Sequence, residues 1–225
     1  MTQRVGRAAR GLLGAVALII CAVGAAAPTP ATDAGWQAYR RGDYAAALTI
    51  YEQAAAAGER LAQFNLAMML LRGEGGRADI DGGIAWLRKA ADAGLAQAQY
   101  NLGLLYESGI GVPRSLNAAT QWWQQAAEQG HTEAQVQLAT QYFLGRGAPM
   151  DWKLAARWYE AAAQSGDVGA QYIIGSFYEH GDGVPQDLRR ALEWYVHAAR
   201  QGDVGAAAQA KDVARRLVEA GNAPR

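Results

Sequence analysis

Cysteine is nearly missing from this chain, histidine is scarce, and neither sign of charge is in excess. Of 225 residues one is cysteine, Cys21, and three are histidine. Cys21 lies in an apolar N-terminal stretch, so the rest of the chain has no thiol with which to build a disulfide framework or a thiolate nucleophile. His131, His180 and His197 are scattered, with no i, i+4 pair and no C-x-x-C spacing, so no metal site is expected. The 21 basic and 21 acidic residues cancel, which argues against a nucleic-acid partner held by bulk charge. No serine, threonine or lysine sits in a recognisable nucleophile motif. The acid pair Asp79 and Asp81 fits exposed helix caps better than a general acid and base. No catalytic residue or cofactor is expected.

The start of the chain is unlike the rest. Arg4, Arg7 and Arg10 precede an apolar run from Leu12 to about Val23, and no acidic residue occurs before Asp33. A basic start, a short apolar stretch and the small residues Gly24 to Ala27 make the pattern of a secretory signal, with cleavage expected between Gly24 and Ala31. The run is short of the roughly 20 apolar residues that span a membrane; an uncleaved anchor is the alternative. Ile20, before Cys21, is a poor match to the small residue a lipoprotein signal requires. Removing residues 1–27 leaves 18 basic against 21 acidic residues, and the predicted location is periplasmic or secreted. Without disulfides, such a protein must be stabilised by packing.

What the sequence does have is a period. Gly58, Gly94, Gly130, Gly166 and Gly202 stand 36 residues apart, as do Ala62, Ala98, Ala134 and Ala170, and Trp86, Trp122, Trp158 and Trp194. Leu66, Leu102, Leu138 and Ile174 follow the same spacing, which divides the chain into repeats 59–94, 95–130, 131–166 and 167–202. In the second repeat Ala98, Leu102, Leu105 and Tyr106 recur at helical spacing from Ala96 to Glu107. The glycine pair Gly109 and Gly111 ends that helix, and Pro113 follows. The next helix opens at a column holding Asp79, Ser115, Asp151 and Asp187, all capping residues. Its predicted buried stripe runs Leu116, Ala119, Trp122, Trp123, Ala126 and Ala127. The Trp column is expected to be core between neighbouring helix pairs rather than a carbohydrate platform. The four-fold G-x-G loops, with no Gly-Lys-Ser/Thr after them, are helix terminators rather than phosphate cradles.

The flanks are variant copies. Residues 34–58 suit a compact helix pair in which Arg41-Gly42-Asp43 replaces the longer loop, with Asp43 in the capping column and Ile50-Tyr51 in the Trp column. Residues 203–220 suit a more polar capping helix that closes the array, from Ala206 to Ala220.

The run Gly175, Tyr178, Gly181, Gly183, Val184, Asp187, Ala191, Trp194, Tyr195, Ala198, Ala199 and Gly202 resembles the Sel-one-like repeat (SLR), a relative of the tetratricopeptide repeat. The second repeat departs little, with Ser115 for Asp and Trp123 for Tyr. The first departs most, with Leu70, Gly76 and Gly83 for Tyr, Val and Ala. The resemblance covers 59–202 strongly and 34–58 weakly. It implies an all-α fold, a right-handed α-solenoid of antiparallel helix pairs, used as a protein-interaction scaffold. Exported bacterial members of that family are associated with envelope signalling, polysaccharide export, motility and host contact. A cysteine-rich branch is linked to β-lactam binding, but its paired cysteines are absent here.

If the first helices line a concave face, as in tetratricopeptide relatives, its columns are Leu61/Gln97/Glu133/Gly169, Phe64/Tyr100/Val136/Tyr172, Met68/Leu104/Thr140/Ser176 and Leu71/Glu107/Phe143/Glu179. A protein or peptide partner is expected there, with Tyr100 and Tyr172 as aromatic anchors. Phe64, Met68 and Leu104 would form an apolar pocket beside Leu71, with Val136 and Phe143 further along and Glu107 and Glu179 as polar selectors. The helix at 61–72 is apolar nearly all round, so it is either covered by the 34–58 pair or open as a peptide groove. Two other functions compete on analogy with the family and compartment: an envelope enzyme acting on peptidoglycan or β-lactams, and a membrane-tethered structural subunit of an export machine.

Overall fold

Small residues along the helices, capping side chains at the starts of most of them and glycines just past their ends leave little choice but paired helices. The computed structural model describes residues 29–221. The expected export segment 1–27, with Cys21, lies outside the described residues, as do residues 222–225. Eleven helices are present among the described residues, which contain no strand. They are α1 (Pro30–Arg40), α2 (Tyr44–Ala56), α3 (Arg60–Arg72), α4 (Ile80–Asp92), α5 (Ala96–Ser108), α6 (Leu116–Glu128), α7 (Thr132–Leu144), α8 (Trp152–Gln164), α9 (Val168–His180), α10 (Leu188–Arg200) and α11 (Val204–Gly221). They fall into two compact blocks, one ending at Gln129 and one starting at Gly130. Within each block, consecutive helices pack against one another.

The capping column behaves as its residues dictate. Asp79, Ser115, Asp151 and Asp187 accept from the backbone N–H of Gly82, Ala118, Leu154 and Arg190 at 2.9, 3.2, 2.9 and 3.1 Å. Asp43 does the same for Ala46 at 3.0 Å. Each such cap stabilises its helix by about 1 kcal/mol. Later first helices and α11 have caps too: Asp167 and Asp203 accept from the N–H of Ala170 and Ala206 at 2.7 and 2.8 Å, and His131 Nδ1 from that of Ala134 at 3.3 Å, whereas α3 and α5 begin at Glu59 and Leu95 without a side-chain cap. Each long loop is closed by a second recurring bond, from the N–H of the capping residue back to the carbonyl of Leu70, Tyr106, Tyr142 or Tyr178 at 2.8–3.0 Å.

Burial corrects the expectation for the tryptophans. Trp86, Trp122, Trp158 and Trp194 are only partly buried and pack against the margins of the cores. The fully buried column is the next residue along: Leu87, Trp123, Tyr159 and Tyr195. The reason is the face opposite. A Cβ added to Gly103 would lie 2.2 Å from Trp123 Nε1, and one added to Gly175 would lie 3.0 Å from the Tyr195 ring. In the compact first pair, a Cβ on Gly35 would come within 2.5 Å of Tyr51. The backbone of one helix therefore seats the aromatic ring of the next. Burying such a ring is worth about 1.5–3 kcal/mol.

Repeats are joined by a column of buried glutamines. Gln63, Gln99 and Gln171 donate through Nε2 to the carbonyls of Ala55, Ala91 and Ala163 at 3.3, 3.1 and 3.1 Å. Those carbonyls sit in the last turn of the preceding helix, where the i+4 donor is missing; each also accepts from the N–H of Gly58, Gly94 or Gly166 at 2.9–3.1 Å. Gln129 and Gln201 complete two of the ladders by donating to Oε1 of Gln99 and Gln171 at 2.7 and 2.8 Å.

The second loop glycines Gly75, Gly111 and Gly183 dock on the preceding helix pair, most tightly at Gly183. Its φ is +69°, and an added Cβ would lie 2.1 Å from the Trp152 carbonyl oxygen. Gly202 also has positive φ, +96°, but an added Cβ would meet nothing within 4 Å. Gly202→Ala is expected to cost about 1–2 kcal/mol, the left-handed penalty alone. Gly183→Ala should cost clearly more, because backbone must also move. Urea denaturation of the two variants measures the difference, and equal costs would contradict the docking role.

Candidate interaction surface

The first helices of the second, third and fourth repeats have one seam buried and one stripe that is partly exposed, whereas α3 is buried nearly all round. The four predicted columns land on that framework unevenly. In α3 the apolar groove is not there. Phe64, Met68 and Leu71 are each 0% exposed. They belong to one core with Ile84, Leu87, Leu102 and Leu105, against which Trp36 and Tyr39 of α1 also pack. The opposite side of α3, through Ala62, Leu66 and Met69, is sealed against Ala47, Tyr51 and Ala54 of α2. The helix is apolar all round because it is covered on both sides, so these three residues are core and not a pocket.

On α5, Tyr100, Leu104 and Glu107 are all partly exposed. Their i, i+4, i+7 spacing puts them on one stripe. The backbone carbonyls of two of them are used by the frame: Trp123 Nε1–H donates to Tyr100 at 3.2 Å, and Arg114 Nε–H to Glu107 at 2.9 Å. In the second block, Val136, Phe143 and Tyr172 are partly exposed. Phe143 packs on Trp152 and Phe177 with ring centroids 5.2 and 5.8 Å apart. Tyr172 packs on Tyr195 at 5.5 Å. Thr140, in the same stripe, bonds the hydroxyl of Tyr159 at 2.9 Å.

Glu179 is a further correction. It is 6% exposed, and its Oε2 accepts from the Tyr195 hydroxyl at 2.8 Å. Its Oε1 pairs with Arg216 of α11. Burial first, and then the hydrogen bond to Glu179, push the Tyr195 hydroxyl well above its ordinary range, so it remains a donor. Glu179 is thus a buried anchor for the terminal helix and not a polar selector open to a partner. Its frame-mate Glu107 lacks an equivalent of Arg216 among the described ion pairs and keeps the exposed role. Sequence reasoning missed this because Arg216 lies beyond the last repeat. It missed the glutamine ladder too, although Gln63, Gln99, Gln135 and Gln171 recur at 36 residues and could have been found that way.

Among the described residues, no three His, Cys, Asp or Glu side chains are grouped so as to hold a metal ion. No described helix is long and apolar enough to cross a membrane.

Comparison with known proteins adds the following. The family model described as the Sel1 repeat matches five times, at residues 35–59, 60–95, 96–131, 132–167 and 168–203. A solved Sel1 repeat protein from Oxalobacter formigenes is 34% identical, with a TM-score of 0.75, over 80% of this chain and 74% of its own. A protective antigen present in uropathogenic Escherichia coli strains, displaying an SLR fold, is 30% identical with a TM-score of 0.73 over 85% of this chain. That match takes in 46% of the antigen, so this chain spans less than half of its length. No curated protein matches the chain.

The anchoring role of Glu179 has a direct test. Arg216→Met strands a buried carboxylate and is expected to lower the urea midpoint, because an uncompensated buried charge is costly. Arg215→Met, whose partners Asp212 and Glu219 are exposed, should leave the midpoint nearly unchanged. Adding Glu179→Gln to Arg216→Met should recover part of the loss. Equal midpoints for the two arginine variants would return Glu179 to the set of free surface acids.

Proposed function

This chain belongs to the Sel1 repeat family, and from that premise we propose that it is a non-catalytic scaffold that holds a protein partner along the half-exposed stripes of its first helices. Proteins of the family typically mediate protein–protein interaction. The observation that carries the proposal is a division of labour on α5. Positions held by the 36-residue frame, Ala98 and Leu102, are buried, whereas Tyr100, Leu104 and Glu107 are partly exposed and lie in columns that vary among the copies. A repeat protein changes specificity at such positions without changing its frame.

In the second block the corresponding contact residues are Val136, Phe143 and Tyr172. Tyrosines supply large contact area with little side-chain entropy to lose, which suits Tyr100 and Tyr172 as anchors. The proposal includes export to the periplasm, which Arg4, Arg7 and Arg10 ahead of the apolar run Leu12 to Val23 support. It also includes the division into residues 1–27, the pair 34–58, the four repeats and the closing helix 203–220.

Crosslinked capture from envelope extract tests the contact stripe. Wild-type protein should recover a defined partner, and Tyr100→Ala/Tyr172→Ala should recover roughly tenfold less or worse. Because Tyr172 packs on Tyr195, Leu104→Ser, which borrows the residue at Ser176, is the control against misfolding and should also weaken capture. Equal recovery by all three proteins would remove the stripe as the contact surface.

A further inference from the structure

One segment breaks the pattern of polar loops. In the third repeat, Leu144 stands where the other copies have Arg72, Ser108 and His180, and Met150 where they have Ala78, Arg114 and Gln186. Both are exposed, Leu144 at 45% and Met150 at 64%, and Trp152 beside them is 37% exposed. They are held close together. Met150 Cβ lies over Gly145, only 3.1 Å from where a Cβ on that glycine would be. The loop is tied down by Arg146 N–H to the Gln141 carbonyl and Asp151 N–H to the Tyr142 carbonyl, both 3.0 Å.

Trp152 is a fixed platform rather than a loose side chain. Its ring stacks on Phe177 at 6.2 Å and tilts against Phe143 at 5.2 Å, and its carbonyl lies against Gly183. A pre-positioned tryptophan is the kind of residue on which interface energy concentrates. Three exposed basic side chains lie in the same segment: Arg146 in the loop, and Lys153 and Arg157 one turn apart on α8, the Arg157 guanidinium 5.2 Å from the Trp158 ring. Residues 144–157 carry three basic and one acidic side chain, and the acid, Asp151, is the helix cap. The corresponding stretches of the first and fourth repeats each carry two basic and three acidic residues, and that of the second carries one basic and none acidic. The neighbouring loop adds a single acid, Asp182, at its edge.

Apolar knobs on a rigid base with a rim of positive charge complement one chemistry in particular. We infer that the loop of the third repeat and the start of α8 form a second docking site, which takes an acidic segment of a partner protein carrying apolar side chains. Trp152 and Met150 receive the apolar groups, and Arg146, Lys153 and Arg157 face the carboxylates. The inference rests on the scaffold reading above; the site adjoins the first-helix stripe at Phe143, on which Trp152 packs, but does not include Tyr100 or Tyr172.

The experiment is fluorescence anisotropy on the full chain, with a short labelled peptide alternating Asp or Glu with Leu and Phe. Wild type should bind it, and added salt should weaken binding because the rim charges are exposed. Leu144→Ser/Met150→Gln and Arg146→Asp take the residues that other copies carry at these positions, so the fold should tolerate them. Each should weaken binding roughly tenfold or more. Tyr100→Ala/Tyr172→Ala should bind the peptide as wild type does, which separates failure of this site from failure of the stripe. Undiminished binding by the loop variants, or equal binding of a peptide with lysine in place of its acids, would overturn the assignment. So would preference for phosphatidylglycerol vesicles over the peptide, or a wild-type dimer in sedimentation that the loop variants abolish.

Discussion

A large side chain pressed against a small residue of its partner helix is the contact on which the helix pairs depend, and in three of the five pairs it is an aromatic ring on the bare backbone of a glycine. At Gly103 there is no room for a methyl group, because Trp123 Nε1 would stand 2.2 Å from it. The same relation joins Gly35 to Tyr51 and Gly175 to Tyr195. Once the ring is seated, the two helices of a pair have a fixed separation and phase. The loop bond from the capping residue to the carbonyl of Leu70, Tyr106 or Tyr178, and the glutamine bonds to the preceding helix end, accompany this packing in the first, second and fourth repeats. Packing of this kind replaces disulfides, for which the described chain has no cysteine.

Much of this was legible in the sequence, and the rest was hidden for identifiable reasons. Helix ends were read correctly because capping aspartates and left-handed glycines act locally; Asp187 and Gly181 need only their own turn to do their work. Depth within a helix was harder. Trp122 and Trp123 are neighbours about 100° apart around the helix, and the recurring column drew attention to Trp122. The deeper residue is Trp123, whose column varies because each occupant is matched to a small residue on the partner helix. Such matching is visible only when two helices are considered together.

The predicted contact residues divide along the same line. Tyr100, Leu104 and Glu107 sit on a stripe that no packing partner claims completely. Phe64, Met68 and Leu71 share its helical phase but are overlaid, since the compact pair α1–α2 and the core of the second repeat close on α3 from both sides. Glu179 was lost from the surface through Arg216, a residue outside the repeat frame. On the proposed reading, specificity belongs to positions that the frame leaves uncovered, both on the first helices and on the loop that holds Met150.

The central claim, that ring and glycine are one unit, is tested most directly by a double-mutant cycle between Gly103→Ala and Trp123→Leu, read as unfolding free energies. The first repeat already pairs alanine with leucine at the equivalent positions, Ala67 and Leu87. Gly103→Ala alone should destabilise by about 1–3 kcal/mol through overpacking. In the Trp123→Leu background the same change should be neutral, or should stabilise by up to about 1 kcal/mol through helix propensity. A cycle that closes additively, with Gly103→Ala costing the same in both backgrounds, would contradict the account.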